Sequence, residues 1–397
     1  MTRHGREVWI TGIGIVSSLG EGNEATWQAF SAGPPNIDCT SFAPYVVHRL
    51  AAVDFAKLIP KSDLRMMDTW QRIGTYAAGL ALENAGINGD SAILAHTDLM
   101  VVAGGGERDT VLDCRLLAQS RGAPNRARLF NETFMNELRP TLFLSQLSNM
   151  LAGNISVVHD VTGSSRTFMG EEAGIESLRV AHARVAAGQS DIVLLGGAHN
   201  GESKDVLLFC ETGNLALKEN FAPVFERQDR GGGIALGSFG AFLVIESKAH
   251  ATARKARPMA RLAAVVTDRV NRSRVGVDRS FERMWKTLAA PEQDRIAVLS
   301  GACGAEPVTS QEQAFLATLG GVPVRATGTY VGHGFESQFS MNVALAALAS
   351  SRGKFFESDE GGSRREPDGP VARFLVTAAG HRRGEGLALV EPVHETS

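Results

Sequence analysis

Cysteine is scarce and scattered: the chain has four, Cys39, Cys114, Cys210 and Cys303, and no two form a CxxC pair. That spacing excludes a zinc cluster and a disulfide framework, and reduced thiols in a cytoplasm are the expectation. No run of apolar residues approaches the roughly 18 needed to span a membrane. The opening "MTRHGREVWITGIGIV" lacks the apolar core and cleavage site of a secretory signal, so a cytoplasmic location is expected. A basic excess is missing too. Lys and Arg number 40 against 43 Asp and Glu, a net charge of -3, which argues against nucleic acid as a partner. The early loop "GIGIVSSLG" lacks the GxGxxG spacing of a dinucleotide site.

Glycine is what the chain has in excess, 43 of 397 residues against a background of about 7%, so many tight turns are expected. A charged fraction of 21% and a hydrophobic fraction of 44% are ordinary for a globular protein. The length fits two domains or one large layered fold.

Buried-strand and helical patterns alternate along the chain. "EVWITGIGIV" reads as a strand, and "TWQRIGTYAAGLALENAGI" as a helix closed by Gly86. Further strands are expected at "DLMVVAGGG", "DIVLLGGAHN", "GAFLVIES", "LAAVVTDRV", "RIAVLSGA", "RFLVTAAG" and "GLALVEP". Helices are expected at "GIESLRVAHARVAAGQ", "KAHATARKARPMAR", "SQEQAFLATLG" and "SQFSMNVALAALAS". Such alternation predicts an α/β protein whose sheets are covered on both faces. The rhythm runs once before Ser247 and again after it, which divides the chain into related halves, 1–247 and 248–397. "KFFESDEGGSRREPDGPV" breaks the rhythm and reads as an exposed loop.

One stretch bears directly on chemistry. The apolar, β-prone "NMLAGNISVV" runs into "HDVTGSSRTFMGEEAGIESL", a strand expected to turn sharply into a helix. Such a turn is a common seat for a nucleophile. It offers Thr162, Ser164, Ser165 and Thr167, and no cysteine.

Several segments, in order and over nearly the whole chain, resemble the β-ketoacyl-ACP synthases, the condensing enzymes of fatty-acid and polyketide synthesis. They are "VWITGIGIVSSLGEGNEATWQAF", "LRMMDTWQRIGTYAAGLALENAGI", "DIVLLGGAHN", "GSFGAFLVIESKAHATARKARPMARLAAVV" and "GTYVGHGFESQFSMNVALAAL". The resemblance implies a thiolase-like fold of two pseudo-symmetric βαβ halves in five layers, assembled as a dimer. It implies a decarboxylative Claisen condensation. A cysteine at a helix N-terminus takes the acyl group, two histidines serve decarboxylation and the enolate, and a lysine supports one of them. No cofactor or metal is implied; the substrate is the phosphopantetheine thioester of an acyl carrier protein.

Carried over by position, the nucleophile falls on Thr162, the first histidine on Cys303 and the lysine on Gly328, with Ala305 and Pro307 at two threonine positions. The second histidine is kept as His333, and Ala379 stands at the gating phenylalanine of the late turn "AAGHRRGEG". A threonine hydroxyl is a poor substitute, because its pKa lies far above a thiol's. Thr162 is therefore expected to cap a helix, line an acyl pocket or, least in keeping with its chemistry, carry the acyl group. Cys303 reads as a buried thiol or a displaced nucleophile, and His333 as a donor or a structural group. His159, His199 and His381 lie in or near matched segments and are further candidates. Glu336 and Ala379 are expected to border the acyl pocket. Arg254, Lys255, Arg257 and Arg261 form either a docking patch for an acidic carrier protein or a solvated face.

With three condensing positions changed and the scaffold kept, the resemblance points to a chain-length-factor-like partner of an active ketosynthase, assembled as a heterodimer or with itself. The alternatives are a divergent condensing or malonyl-decarboxylating enzyme and a non-catalytic acyl-binding module.

Overall fold

The computed structural model describes residues 5–32, 35–137, 144, 146–288, 295–357, 367 and 369–393. Its first half contains, in order, β1 (Val8–Ser17), α1 (Thr69–Asn84), β2 (Asp98–Val102), α2 (Thr110–Ser120), α3 (Arg126–Glu137) and α4 (Met150–His159). There follow β3 (Ser165–Phe168), α5 (Ala173–Ala186), β4 (Ile192–His199), α6 (Lys204–Thr212) and β5 (Phe239–Ser247). A short helix, α7 (Lys248–Ala253), leads into the second half. That half comprises β6 (Ala260–Asp268), α8 (Val277–Thr287), β7 (Ile296–Ser300), α9 (Val308–Ala317), β8 (Val324–Ala326), α10 (Gln338–Arg352), β9 (Arg373–Ala379) and β10 (Glu385–Glu391).

The strands repeat one topology. The first five lie in the order β3-β2-β4-β5-β1 and the second five in the order β8-β7-β9-β10-β6. In each set the first three are parallel to one another and the last two pair antiparallel. The two sets join only where β1 meets β6, through the pairs Trp9↔Arg261 and Ile10↔Ala260. Helices α1 and α4 cover the outer face of the first sheet and α8 and α9 that of the second, while α5 and α10 pack between them. This is the five-layer arrangement the resemblance implies.

The sequence explains the layers. α10 is buried along residues 338–350, as its apolar circumference requires. α1 opens on a capping box between Asp68 and Gln71 and closes at Gly86, whose φ of +69° is left-handed. It lies against β1 so closely that a Cβ at Gly14 would stand 2.1 Å from the Ala77 carbonyl oxygen. Only glycine permits that approach.

Three expectations are corrected. Met150–His159 is a helix, not a strand; its buried residues Leu151, Ile155 and His159 recur at the helical period. The strand that precedes α5 is instead the short, polar Ser165–Phe168 at the sheet edge. The basic helix is also shorter than expected: α7 stops at Ala253, and Lys255 takes a left-handed φ of +58°. The Gly- and Pro-rich loop lies mostly outside the described residues, but Phe355 and Phe356 at its start are buried against core aromatics.

Candidate functional site

Two strand-to-helix turns at equivalent places in the two sheets face each other. In the first, β3 ends at Phe168 and Met169–Glu172 lead into α5, with Gly170 at φ +101°. Glu171 is half-buried here, and its Oε2 accepts the backbone N–H groups of Arg382 (2.9 Å) and Arg383 (3.0 Å) from the β9–β10 turn. Glu172 is paired with the Arg383 guanidinium at 3.3 Å. Acidic side chains before a helix N-terminus are favoured by the exposed N–H groups and dipole there.

In the second turn, between β8 and α10, the His333 backbone is tied down on both sides. Its N–H donates to the Ala235 carbonyl (2.8 Å) and its carbonyl accepts from Gly237 (3.0 Å). The His333 ring is 9% exposed and its Nδ1 has no partner. Burial, followed by the neighbouring His199, Arg227 and His381, pushes its pKa down to about 3, so the ring is neutral at physiological pH. Phe335 follows at φ +43°, a conformation a bulky side chain rarely adopts. Its ring stands edge-on to His333 (5.3 Å), His199 (5.6 Å) and Phe209 (6.2 Å). His199 in turn donates from Nδ1 to the Gly237 carbonyl at 2.9 Å, and burial lowers its pKa as well.

Between these turns is a cavity of about 330 Å³, at the small end of the range for ligand pockets. Trp70, Val206, Phe209, Leu215 and Phe335 form its apolar wall. Glu107, Glu171, Asp205 and Glu336 face it with carboxyl groups. A smaller space of about 30 Å³, enough for one water, continues inward past Glu171, Phe335, Glu336 and His381 to Cys303 and His333. Burial raises the pKa of Glu336, with Glu171 adding to the effect, and burial also raises that of Glu107. Burial pushes the Cys303 thiol up, away from the thiolate that nucleophilic attack requires. Among the described residues, no group of three or more His, Cys, Asp and Glu is placed to hold a metal ion.

Residues 5–251 match the family model for the β-ketoacyl synthase N-terminal domain. The chain belongs to the β-ketoacyl synthase family. It is 24% identical over 263 residues to 3-oxoacyl-[acyl-carrier-protein] synthase 2 of Vibrio cholerae, a match covering 64% of this chain and 60% of that protein. Such matches to curated synthases thus span about three fifths of their length. A longer match joins it to the tetracenomycin polyketide synthase ketoacyl synthase beta subunit of Streptomyces glaucescens, 25% identical over 86% of this chain and 85% of that one. Among solved structures, the ishigamide ketosynthase/chain length factor superposes with a TM-score of 0.78 at 18% identity, covering 98% of this chain and all of the other. A β-ketoacyl synthase from Burkholderia phymatum gives 0.79 at 18% identity with the same coverage. The fold is therefore thiolase-like, as in the other family members.

The residues singled out from sequence fall in three groups. Cys303, His333, Glu336 and Ala379 line the inner space together, and Glu336 also lines the outer cavity. His199 and His381 join them, whereas His159 donates from Nε2 to the Thr75 carbonyl on the far side of the first sheet. Thr162 is a correction. It is exposed, precedes β3 and hydrogen-bonds through its backbone N–H to Leu94. Because the segment before it is a helix, the strand-to-helix turn lies several residues later, and Glu171 occupies it. The acidic pair at a helix start, "GEEAGIESL", was the available signal. Arg254 is a second correction: it is 15% exposed and committed to the buried Glu246 at 2.5 Å and to the Ala85 carbonyl. Arg261 is paired with Glu391 at 3.4 Å, and Lys255 and Arg257 are exposed and form no ion pair among the described residues.

Proposed function

We propose that this family member is a chain-length-factor-like partner of an active ketosynthase in fatty-acid or polyketide-type chain elongation, shaping acyl space without attacking an acyl thioester itself. The observation that carries the reading is the β3–α5 turn. Where the resemblance expects a thiolate at a helix N-terminus, the turn presents the Glu171 carboxylate, already held by two backbone N–H groups. The thiol in the cavity, Cys303, is 2% exposed and disfavoured as a thiolate. The long matches to a ketoacyl synthase beta subunit and to a ketosynthase/chain length factor support the same reading. Its partners are an active ketosynthase subunit, or a second copy of this chain, and an acyl carrier protein whose phosphopantetheine thioester is the substrate. Lys255 and Arg257 are the docking cations that remain free for that carrier.

The edge strand β3 and exposed apolar residues of the first half, among them Met135 (85%) of α3, Val157 (72%) of α4 and Met169 (59%) just after β3, supply a surface for assembly. Co-expression with a cognate ketosynthase, then size-exclusion chromatography with mass analysis, is expected to give a stable 1:1 heterodimer. A tight homodimer that ignores the ketosynthase would overturn the reading. A second reading, malonyl-thioester decarboxylation without condensation, is favoured by the unpartnered His333 ring, which can donate one hydrogen bond to an enolate. Release of an acetyl thioester from malonyl carrier by the purified chain would decide for it.

A further inference from the structure

The cavity carries an unbalanced charge. Glu171 and Glu336 stand close enough for one to raise the pKa of the other, and neither has a cation within 4 Å among the described residues. Glu107 accepts the Trp70 N–H and the Asn200 side-chain amide through Oε1, both neutral donors. Asp205 takes the hydroxyl of Ser203 and lies within electrostatic reach of Arg108, outside the lining. Against these four carboxyl groups the described lining sets one permanent cation, Arg382, whose backbone N–H rather than guanidinium holds Glu171, while the buried Arg227 guanidinium lies behind Cys303 at the inner end. The three histidines do not restore the balance, because burial lowers the pKa of His199, His333 and His381.

Such a lining repels a carboxylate ligand and is stabilised by a positive one. The opposite wall is apolar and aromatic, from Trp70, Phe209 and Phe335. The His333 Nδ1, buried and unpartnered, adds a neutral polar atom at the inner end. We infer that the cavity takes a ligand with an apolar body and a primary ammonium head, and rejects ligands that present a free carboxylate. The inference rests on the reading of this cavity as acyl space, and it makes the acyl group accommodated there an amino-bearing one. The ammonium sits between Glu336 and the open Oε1 of Glu171, and the body lies along the aromatic wall. A cation on an aromatic face gains further from the ring quadrupole.

The test uses three probes with a similar body and different heads, 2-phenylethylamine, 2-phenylethanol and 3-phenylpropanoate, titrated calorimetrically into the full chain at pH 7.5 and low salt. The amine is expected to bind at least tenfold tighter than the alcohol, and the carboxylate at least tenfold weaker, as roughly expected for a charge-assisted hydrogen bond gained or a like charge faced. Glu336→Gln, which keeps the shape, is expected to cut the amine-to-alcohol ratio by about tenfold, and Glu171→Gln to cut it less. Amine affinity is expected to rise from pH 5 to pH 8, because Glu107 and Glu336 ionise late while the amine stays charged to about pH 10. Equal or tighter binding of the carboxylate, no amine binding at millimolar concentration, or a ratio unchanged in both variants would overturn the inference. Heterodimer formation, measured separately on the same preparations, shows whether the partner role stands or falls with it.

Discussion

The two facing turns share a topology and differ in almost everything else. The β3–α5 turn is open to solvent, built from glycine and acids, and held by backbone N–H groups donated from the other sheet. The β8–α10 turn is buried, built around a histidine and a phenylalanine, and held by its own backbone pairing to Ala235 and Gly237, in the segment before β5. Equivalent position therefore fixes where a side chain points but not what it can do. Chemistry follows from burial: one turn holds a half-exposed acid and the other keeps a buried histidine neutral.

Placing a thiol in the open turn should break the contrast most visibly. Glu171→Cys is expected to react with iodoacetamide about 100-fold faster than Cys303, because a thiol beside a helix N-terminus and solvent ionises while a buried one does not. Site-resolved mass spectrometry reads both in one sample. A Cys303 that reacts as fast would mean that the inner space is open and the buried thiol is available. Condensing activity is not expected to follow, since the resemblance puts Cys303 and Gly328 at the first-histidine and lysine positions.

The buried turn is the more fragile. Phe335→Ala removes a ring packed against three others and is expected to cost about 2 kcal/mol in urea unfolding. Phe335→Gly removes the same ring but relieves the positive φ, and should be more stable than the alanine variant by about 1 kcal/mol. The reverse ranking would mean that the left-handed backbone is not strained.

The pH response distinguishes the turns next. His333 has a folded pKa of about 3, below its unfolded value of 6.5. The unfolded chain therefore binds a proton first as pH falls, and stability present above pH 6.5 is lost below it. The loss at pH 5 is about 2 kcal/mol for this residue. His48, fully buried and likewise pushed down to about 3, contributes in the same direction. Unfolding at pH 8, 6 and 5 should show a smaller decline in His333→Gln than in the wild type; an identical decline would place the proton uptake elsewhere. The smallest effect belongs to the open turn, where Gly170→Ala, at φ +101°, is expected to cost about 1 kcal/mol.

Much of the fold was legible because its central strands are long and apolar. β1, β4 and β5 are buried along almost every residue, and an uninterrupted apolar run is what such strands look like. β3 was not legible for the opposite reason: an edge strand of four polar or half-buried residues carries no apolar run. The helix before it, with Ile155, Val157 and Val158 together, imitates a strand locally, and only the spacing of Leu151, Ile155 and His159 betrays it. That one exchange is why the expected turn fell on Thr162, whereas the turn into α5 holds Glu171. His333, Cys303 and Ala379 line one inner space, and the strands that flank them carry strong signals. Glu107, from a loop, and Asp205, in the first turn of α6, are distant in sequence and had no local signal at all, since the sheet brings them together.

The junction between β1 and β6 has a consequence for how the molecule is made. Two residue pairs connect the sheets, yet α5, from the first half, packs on β6, and α10, from the second, packs on β1 and β5. Each half thus lends its central helix to the other's sheet. Neither can complete its own core when it emerges from the ribosome, so the first half must wait for about 100 further residues before α10 arrives. Contacts so distant along the chain close slowly. During that interval the parts of β1 and β5 that α10 covers stand open to water, and the nascent chain depends on rapid completion or on chaperones to reach its folded state without aggregating.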